Sequence, residues 1–417
     1  MKRQFRVWAM VFVLLIALPL TGWAAYIGGE LNADLVYEWD QDEEDLLQAS
    51  IPTGFSLVLE DHLDSGGKVH FSAKGFWDWK REKGDLAADQ LWISGYLDDV
   101  DYILGRQVIS WGTADGFNPT SYFARLDSSA LTSGGLGSEP LWAGQATYYR
   151  PDWSITAVVV PFFKPQKIDD IMREMMIKSD PQAPLLLAAV DEVKKPSGLG
   201  KNSELALRGE TNLAGWDLQA SFFSGFEPLP GLEVKFDPAA APLPIKIVGK
   251  YRRQNFFGLA AAGTIGDAGV WAEAAYGGPE AFEESENPLE SVLAVNKKYV
   301  QAVFGGDYTF DLGQGLLVQA QYIYRGQGSL FAPYGEKIEP AHYLYGRLGY
   351  DLTPDESLEM VIIHGLKDQS GLIMPVYTHR FPHSITVEAG LLGVYGKEDQ
   401  EFGPIPSQAR LGLSFKF

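Results

Sequence analysis

Apolar and polar residues alternate with a period of two along much of the chain. In the segment 30–40, the apolar residues Leu31, Ala33, Leu35, Tyr37 and Trp39 are separated mostly by polar ones. The same alternation recurs in the segments 68–80, 215–226, 298–311, 314–325, 341–352 and 384–396. Alternation of this kind places the two sets of side chains on opposite faces of an extended strand. Because many of these strands are long and their apolar faces end in Trp or Tyr, the pattern favours a transmembrane barrel over a soluble sandwich.

Breaks in the alternation are short and long in turn. The short breaks lie at 63–66, 98–100, 151–152, 213–215, 263–266, 311–314, 353–356 and 381–383. The long breaks lie at 40–52, 80–87, 111–140, 161–202, 227–243, 278–297, 327–340, 367–371 and 397–406. Outer-membrane barrels alternate short periplasmic turns with long outside loops. The nine long and eight short breaks therefore predict an all-β fold, an antiparallel barrel of eighteen strands. Sixteen strands is the alternative, because the segments 88–97 and 372–380 show the weakest strand pattern.

The last eight residues, 410–417, follow the same alternation up to the final aromatic residue. Leu411, Leu413, Phe415 and Phe417 fall on one face, which predicts a closing strand with its apolar side toward lipid. A buried edge strand of a soluble sheet would alternate similarly. The combination of Arg410, Gly412, Phe415 and Phe417 resembles the C-terminal assembly signal of bacterial outer-membrane barrels. That resemblance implies the barrel assembly machinery as a partner.

The N-terminus predicts a secretory signal peptide over residues 1–24. A basic head of Lys2, Arg3 and Arg6 precedes an apolar run, 8–20, that is too short for a comfortable membrane span. Cleavage after Ala24 places Gly22 and Ala24 at the two positions before the cleavage site that require small side chains. Cleavage after Ala25 would place Trp23 at one of them. An uncleaved anchor is the alternative. We therefore expect residues 25–417 to form the barrel, located in the bacterial outer membrane.

Composition agrees with this class. The chain is 46% hydrophobic and 13% aromatic, has 45 glycines, and beyond the apolar run contains no stretch of 18 uninterrupted apolar residues. It contains no cysteine, which excludes disulfides and thiolate metal sites. Its net charge is −20, which argues against nucleic-acid partners. Acidic loops would instead meet outer-membrane lipid, with divalent cations bridging to lipopolysaccharide.

A barrel of this size leaves room for a water-filled channel. We therefore predict a porin-like channel for the passive diffusion of small hydrophilic solutes. The predicted lumen-facing cations are Arg106, Arg208, Lys250, Arg252, Arg325 and Arg347, with Arg208, Arg252 and Arg347 at similar height. Because Arg suits carboxylates and phosphates, a channel selective for acidic saccharides or organic anions is one alternative. Six acidic residues are also predicted to face inward, giving a lumen of mixed sign: Asp34, Glu204, Glu210, Asp307, Glu359 and Glu388.

Two long loops are candidates for determining the width of the predicted channel. The loop 161–202 contains two stretches with helical patterning, 168–178 and 184–195. These stretches would either fold into the barrel mouth or pack on each other as an external cap. In the loop 111–140, Gly112, Gly116 and Pro119 would let the chain turn sharply inward.

Residues 105–119 carry the motif G-R-Q-x-x-x-W-G followed by N-P, formed by Gly105-Arg106-Gln107, Trp111-Gly112 and Asn118-Pro119. The motif resembles that of a largely uncharacterised family of bacterial outer-membrane porin-like barrels. It is more distantly similar to the alginate-export porins, which would fit an anionic, sugar-like substrate. A purely structural role, as a corner between strand and loop, is the alternative for this motif.

Catalytic and metal-binding patterns are not indicated. The six histidines are scattered, and neither G-x-S-x-G nor H-E-x-x-H occurs. The acidic segments 40–45 and 280–290 lack the glycine and spacing of an EF-hand. We therefore expect no enzyme activity, no cofactor and no structural metal. A plugged barrel with a structural or adhesion role is the second functional alternative, and assembly as a homo-trimer is left open.

Overall fold

The computed structural model describes residues 26–39, 48–64, 66–80, 82–114, 116–124, 126–127, 137–166, 168, 173, 176–177, 182–198, 200–240, 244–330, 334–335, 337–397 and 399–417. Within them, eighteen antiparallel strands close a barrel. The strands are β1 (Tyr26–Trp39), β2 (Pro52–His62), β3 (Lys68–Asp78), β4 (Lys83–Leu97), β5 (Val100–Gln107), β6 (Leu141–Tyr149), β7 (Trp153–Val160), β8 (Glu204–Leu213), β9 (Trp216–Phe226), β10 (Arg253–Ile265), β11 (Ala268–Pro279), β12 (Tyr299–Phe310), β13 (Leu316–Arg325), β14 (Ala341–Thr353), β15 (Glu356–Gly365), β16 (Gly371–Phe381), β17 (Ile385–Tyr395) and β18 (Ser407–Lys416). The predicted count of eighteen is confirmed, and the two weakly patterned segments are β4 and β16.

Most connections alternate in length as predicted, but the outer connections 79–82 and 366–370 are no longer than the short-end connection 63–67. Those at the short-turn end run from two residues, as at 98–99, to five, as at 63–67. Those at the opposite end, here called the outer end, include 108–140, 161–203 and 227–252. One outer connection, 79–82, is shorter than predicted because β4 already begins at Lys83. A short strand, Gln48–Ser50, continues β2 beyond Ile51 and pairs with β1.

The barrel is closed by pairing between its first and last strands. Ten residue pairs run from Glu30↔Lys416 to Trp39↔Ser407. On the inner face of this seam, the Arg410 Nε donates to the Asp34 Oδ1 at 2.8 Å. The backbone groups of Gly29 and Phe417 exchange two hydrogen bonds at the other end of the seam. The C-terminal strand is therefore integral to the wall up to its last residue.

The outer surface of the barrel is apolar, as the alternation predicted. On β18, Leu411, Leu413, Phe415 and Phe417 are 40–54% exposed, whereas Arg410 lies on the inner face. A lipid-facing barrel wall has this pattern, because hydrocarbon can solvate exposed apolar side chains. The proposed role of the C-terminal residues as an assembly signal stays a prediction. No helix among the described residues is long and apolar enough to cross a membrane, a finding that says nothing of strands.

Several outer loops pack together as a cap. Helix α1 (Ala183–Glu192), with Pro184 in its first turn, packs on a three-stranded sheet formed by Gly231–Phe236, Ile245–Lys250 and Ser291–Val292. The buried contact joins Leu186, Ala189 and Val190 of the helix to Leu232 and Leu293. The predicted helix at 184–195 is thus present, as Ala183–Glu192, and it packs on this small sheet. The predicted helix at 168–178 falls largely outside the described residues.

A buried ion pair fastens the cap to the barrel rim. Arg252, 1% exposed, donates from Nε and Nη2 to the two carboxylate oxygens of Glu227 at 2.6 and 2.7 Å. It also donates to the Asn296 side chain and to the Val295 carbonyl, and so joins the loop 227–252 to the loop 280–298. Burial raises the pKa of the Glu227 carboxyl to about 7, although the hydrogen bonds and charge of Arg252 oppose that shift.

Candidate pore and its inward loop

The segment 108–124, here called the inward loop, leaves β5 at a sharp corner. Gly105 has φ +133°, and a Cβ there would lie 2.2 Å from the Leu91 carbonyl oxygen on β4. Only glycine fits this position. The Gln107 side-chain amide then donates to the carbonyls of Ile103 and Ala143. Two residues of the G-R-Q motif therefore hold the strand end in shape, which supports the structural interpretation of that motif.

The remaining residue of this motif, Arg106, faces the opposite side of the wall from the one we predicted. Arg106 pairs directly with Leu91 and Trp142, whose side chains are 42% and 54% exposed on the outer surface. Directly paired residues share one face of a sheet, so Arg106 lies on the outer face and not in the lumen. The expectation was wrong because apolar and polar residues alternate poorly through 102–110, so the sequence did not show which face Arg106 occupies.

The flanks of the inward loop pack along the inner wall. Trp111 and Phe123 are 4% and 2% exposed and belong to a cluster with Phe223 of β9. The ring of Tyr122 stacks on Phe223 at 5.1 Å between centroids. The guanidinium of Arg208, on β8, lies 4.9 Å from the Trp111 ring centroid. These contacts place the flanks of the loop inside the barrel.

One carboxylate holds the tip of the loop. Glu273 projects inward from β11 and is 3% exposed. Its Oε1 accepts from the backbone amides of Thr113 and Ala114, the latter at 2.8 Å. Its Oε2 accepts from the Thr120 hydroxyl at 2.9 Å. The Asn118 side chain closes the same turn by accepting from the Ala114 amide at 3.0 Å. Glu273 thus binds both arms of the tip.

The far side of the loop reaches the opposite wall. Phe117 lies against the Arg325 guanidinium of β13, 5.1 Å from ring centroid to Cζ. Tyr345 of β14 lies beside Gly116, where an added Cβ would be 3.9 Å from its ring. From β5 to β14 is nine strands, which is half of eighteen. The inward loop therefore follows the inner wall from β8 to β14, around to the side opposite β5.

The inner wall at mid-height carries arginines, each beside a carboxylate. The pairs are Arg208–Glu210 at 2.9 Å, Arg347–Glu359 at 2.8 Å, and Arg410 with Asp34 at 2.8 Å and Glu388 at 3.6 Å. Strand register puts these residues on the inner face, as predicted for Arg208 and Arg347 and for their acidic neighbours. The lumen is consequently of mixed sign.

Three other predicted cations lie at the outer end. Lys250 is the last residue of a cap strand and not part of the barrel wall, so its placement on a wall strand was wrong. Arg252 lies in the loop before β10, above Arg208 and not at its height. Arg325 ends β13, is 7% exposed, and donates from Nε to the Gly328 carbonyl. The structure does not bring these three together with Arg208 and Arg347.

Glu273 is the main residue that sequence reasoning missed. Its inward position follows the ordinary alternation of β11, and its partners Thr113 and Thr120 lie 160 and 153 positions away. No local signal marks such an anchor. Among the described residues, no group of three or more His, Cys, Asp or Glu side chains is arranged to hold a metal ion.

Comparisons with known proteins bear on this architecture. No protein-family model matches the chain, and no curated protein matches it significantly. Solved structures do match: Acinetobacter baumannii OccAB3 has a TM-score of 0.55 and 11% identity over 94% of this chain and 99% of that one. Pseudomonas aeruginosa OccK8 (OprE) has a TM-score of 0.53 and 10% identity, over 94% of this chain and 98% of that one. OccK2 (OpdF) from the same organism was solved in complex with glucuronate. It has a TM-score of 0.52 and 11% identity, over 94% of this chain and 96% of that one. The matched structures are bacterial outer-membrane porins, and at these identities the likeness shows the fold.

Proposed function

We propose that this protein is a porin-like channel of the bacterial outer membrane, through which small hydrophilic solutes diffuse passively. The observation that carries the proposal is the inward loop, which lies inside an eighteen-stranded barrel against its inner wall and is tethered at its tip by Glu273. A tethered segment inside a wide barrel narrows the bore to a defined size. We therefore assign the inward loop as the constriction.

Part of the lumen is open to solvent beside this loop. On the inner faces of β3 and β17, the side chains of Lys74 and Glu388 are 55% and 41% exposed. Phe76, also on the inner face of β3, is 51% exposed. Exposure of this size inside a barrel requires a water-filled space next to the wall. This supports a channel over a plugged barrel with a structural or adhesion role.

A channel selective for acidic saccharides or other organic anions is the second candidate. The observations in its favour are the inner-wall arginines Arg208, Arg347 and Arg410, and the glucuronate bound to the structurally similar OccK2. We rank it second because each of these arginines already has a carboxylate within 3 Å. The similarity to alginate-export porins stays a prediction.

Conductance in planar bilayers tests the proposal. Purified, refolded protein should give open steps of uniform size that grow in proportion to salt concentration. An ion-selective, saturable current that organic anions block would favour the second candidate. If no steps occur at high protein concentration, the channel proposal fails and the plugged barrel is favoured.

Further expectations follow from an outer-membrane location. We propose that residues 1–24 are removed on export, so that the mature chain begins at Ala25; this region lies outside the described residues. Assembly by the barrel machinery and homo-trimer formation stay predictions. Membrane fractionation would test the outer-membrane location. Mass spectrometry of the N-terminal peptide would test the cleavage, and the molar mass of the purified protein would test the trimer.

A further inference from the structure

A cavity of about 610 Å³ lies at the outer end of the barrel, between the C-terminal part of α1 and the cap strand Ile245–Lys250. Its volume falls in the range of roughly 300–1,000 Å³ that is usual for small-ligand sites. Five cationic side chains line it, with Glu192 as the one acidic residue: Lys194, Lys201, Lys246, Lys250 and Arg253. Five positive charges less one negative leave +4 at this cavity, in a chain whose net charge is −20.

The cavity lies at the rim of the wall on its outer side. Arg253 pairs with Phe226 at the outer ends of β10 and β9. By strand alternation Arg253 shares a face with Phe257 and Leu259, which are 64% and 66% exposed on the apolar surface. The site is therefore directly above a lipid-facing stripe and not in the lumen. A ligand that reaches it from the membrane needs no path through the channel.

The cations of the cavity are available to a ligand. In the part of the chain that the structure describes, no ion pair joins any of the five to a carboxylate. The arginines of the inner wall differ, because each of them lies within 3 Å of a carboxylate. Lys246 and Lys250 lie four positions apart on one face of their strand, and both are exposed. The cationic side chains that line the cavity therefore outnumber its carboxylates, of which Glu192 is the one among the described lining residues.

The floor of the cavity is aromatic. Phe226 and Tyr251 line it and both pack on the Phe163 ring, at 5.0 and 5.2 Å between centroids. Arg253 is held over the Phe226 ring at 4.7 Å and donates to the Lys201 carbonyl. An apolar floor beneath a ring of cations suits an amphipathic anion. Lysine and arginine are the usual partners of phosphate groups.

We propose that this cavity binds the phosphorylated sugar headgroup of an outer-leaflet glycolipid, of the lipopolysaccharide type. The proposal rests on the outer-membrane location proposed above. It commits to a membrane lipid because the site faces the lipid side of the rim. It also differs from cation-bridged contact through acidic loops, because lysines contact phosphate directly and need no divalent ion.

The test is binding of bisphosphorylated lipid A to the purified, folded barrel in detergent, measured by native mass spectrometry with EDTA present. We expect saturable binding that Lys246→Ser/Lys250→Ser weakens about tenfold or more. A second variant, Lys194→Ser/Lys201→Ser, should weaken it comparably. The matched control is Lys337→Ser/Lys367→Ser, which removes two outer-loop lysines that both pair with Glu339 and do not line the cavity. The control should bind as the parent does.

Three outcomes would overturn the proposal. They are parental affinity in both cavity variants, equal binding of fully dephosphorylated lipid A, and inorganic phosphate competing at the same concentration as lipid A. Loss of all binding in EDTA would likewise indicate cation bridging in place of direct lysine contact. Bilayer conductance of the same variants keeps the two proposals apart. Lipid binding without conductance would defeat the channel proposal alone, and conductance without lipid binding would defeat only this one.

Discussion

Replacing Glu273 by Ala should release the tip of the inward loop. The tip is held by two well-formed hydrogen bonds to this carboxylate, from the Ala114 amide at 2.8 Å and the Thr120 hydroxyl at 2.9 Å, besides the contact from Thr113. A hydrogen bond to a charged group contributes about 1.5–3 kcal/mol. The two bonds together contribute about 3–6 kcal/mol, and their loss leaves the Ala114 amide with the Asn118 side chain as its acceptor. The packed flanks at Trp111 and Phe123 remain, so we expect the tip to move while the flanks stay on the wall.

Single-channel conductance measures the result. We expect larger and noisier open steps, together with entry of neutral polyethylene glycols that are too large to enter the parent channel. Polymer sizing separates a wider bore from a changed charge. Glu359→Ala is the matched control, because it removes one carboxylate from the inner wall without touching the inward loop. Glu273→Gln keeps one carbonyl acceptor and should fall between parent and Ala variant.

A folded Glu273→Ala barrel with the conductance and polymer cut-off of the parent would refute the reasoning. Either the packed flanks would then suffice to hold the tip, or another part of the lumen would set the bore. Heat-modifiable gel mobility shows whether the variant is folded. A change of equal size in Glu359→Ala would also count against the loop, since charge alone would then explain it.

Three further predictions concern the seam, the wall and the cap. Deleting Phe417, which exchanges two backbone bonds with Gly29, should sharply lower the heat-modifiable folded fraction. Phe310→Ser, which alters an exposed aromatic elsewhere, should lower it less, and equal loss in both would remove any special role of the C-terminus. Arg208→Ser/Arg347→Ser should shift the reversal potential toward cation preference, and an unchanged potential would mean that neighbouring acids dominate. Because burial raises the pKa of Glu227 to about 7, its contribution to cap stability is fully present below pH 4.5 and is lost as pH rises through 7. Hydrogen exchange of the loop 227–252, corrected for intrinsic rates, should show more protection at pH 5 than at pH 8, and Glu227→Gln should abolish the difference.

The barrel was predictable from sequence because its signal is local. Each strand has one face in contact with lipid and one with the lumen, so alternation appears within ten residues and needs no knowledge of neighbouring strands. The same signal misassigned Lys250, because Ile245–Lys250 alternates like a wall strand while pairing with Gly231–Phe236 in the cap. Alternation reports that a strand has two unlike faces, and not which sheet it joins.

The path of the inward loop was only partly predictable. Gly112 and Gly116 do adopt positive φ, as the inward turn required. The anchoring contacts are long-range, however, and Glu273 has the same appearance in sequence as any other inward acid. The face occupied by Arg106 could not be predicted for a related reason. It is known only from the strand partners Leu91 and Trp142, which are distant in sequence.

The seam between β1 and β18 also dictates an order of events during assembly. The Arg410–Asp34 contact joins residues 376 positions apart, so closure has to wait for the last strand. The anchor of the inward loop needs less of the chain, because Glu273 is on β11. While the seam is open, the loop can reach Glu273 from the side of the unfinished sheet. Folding intermediates should therefore already contain the docked loop, and the terminal strands would enclose a channel whose interior is complete.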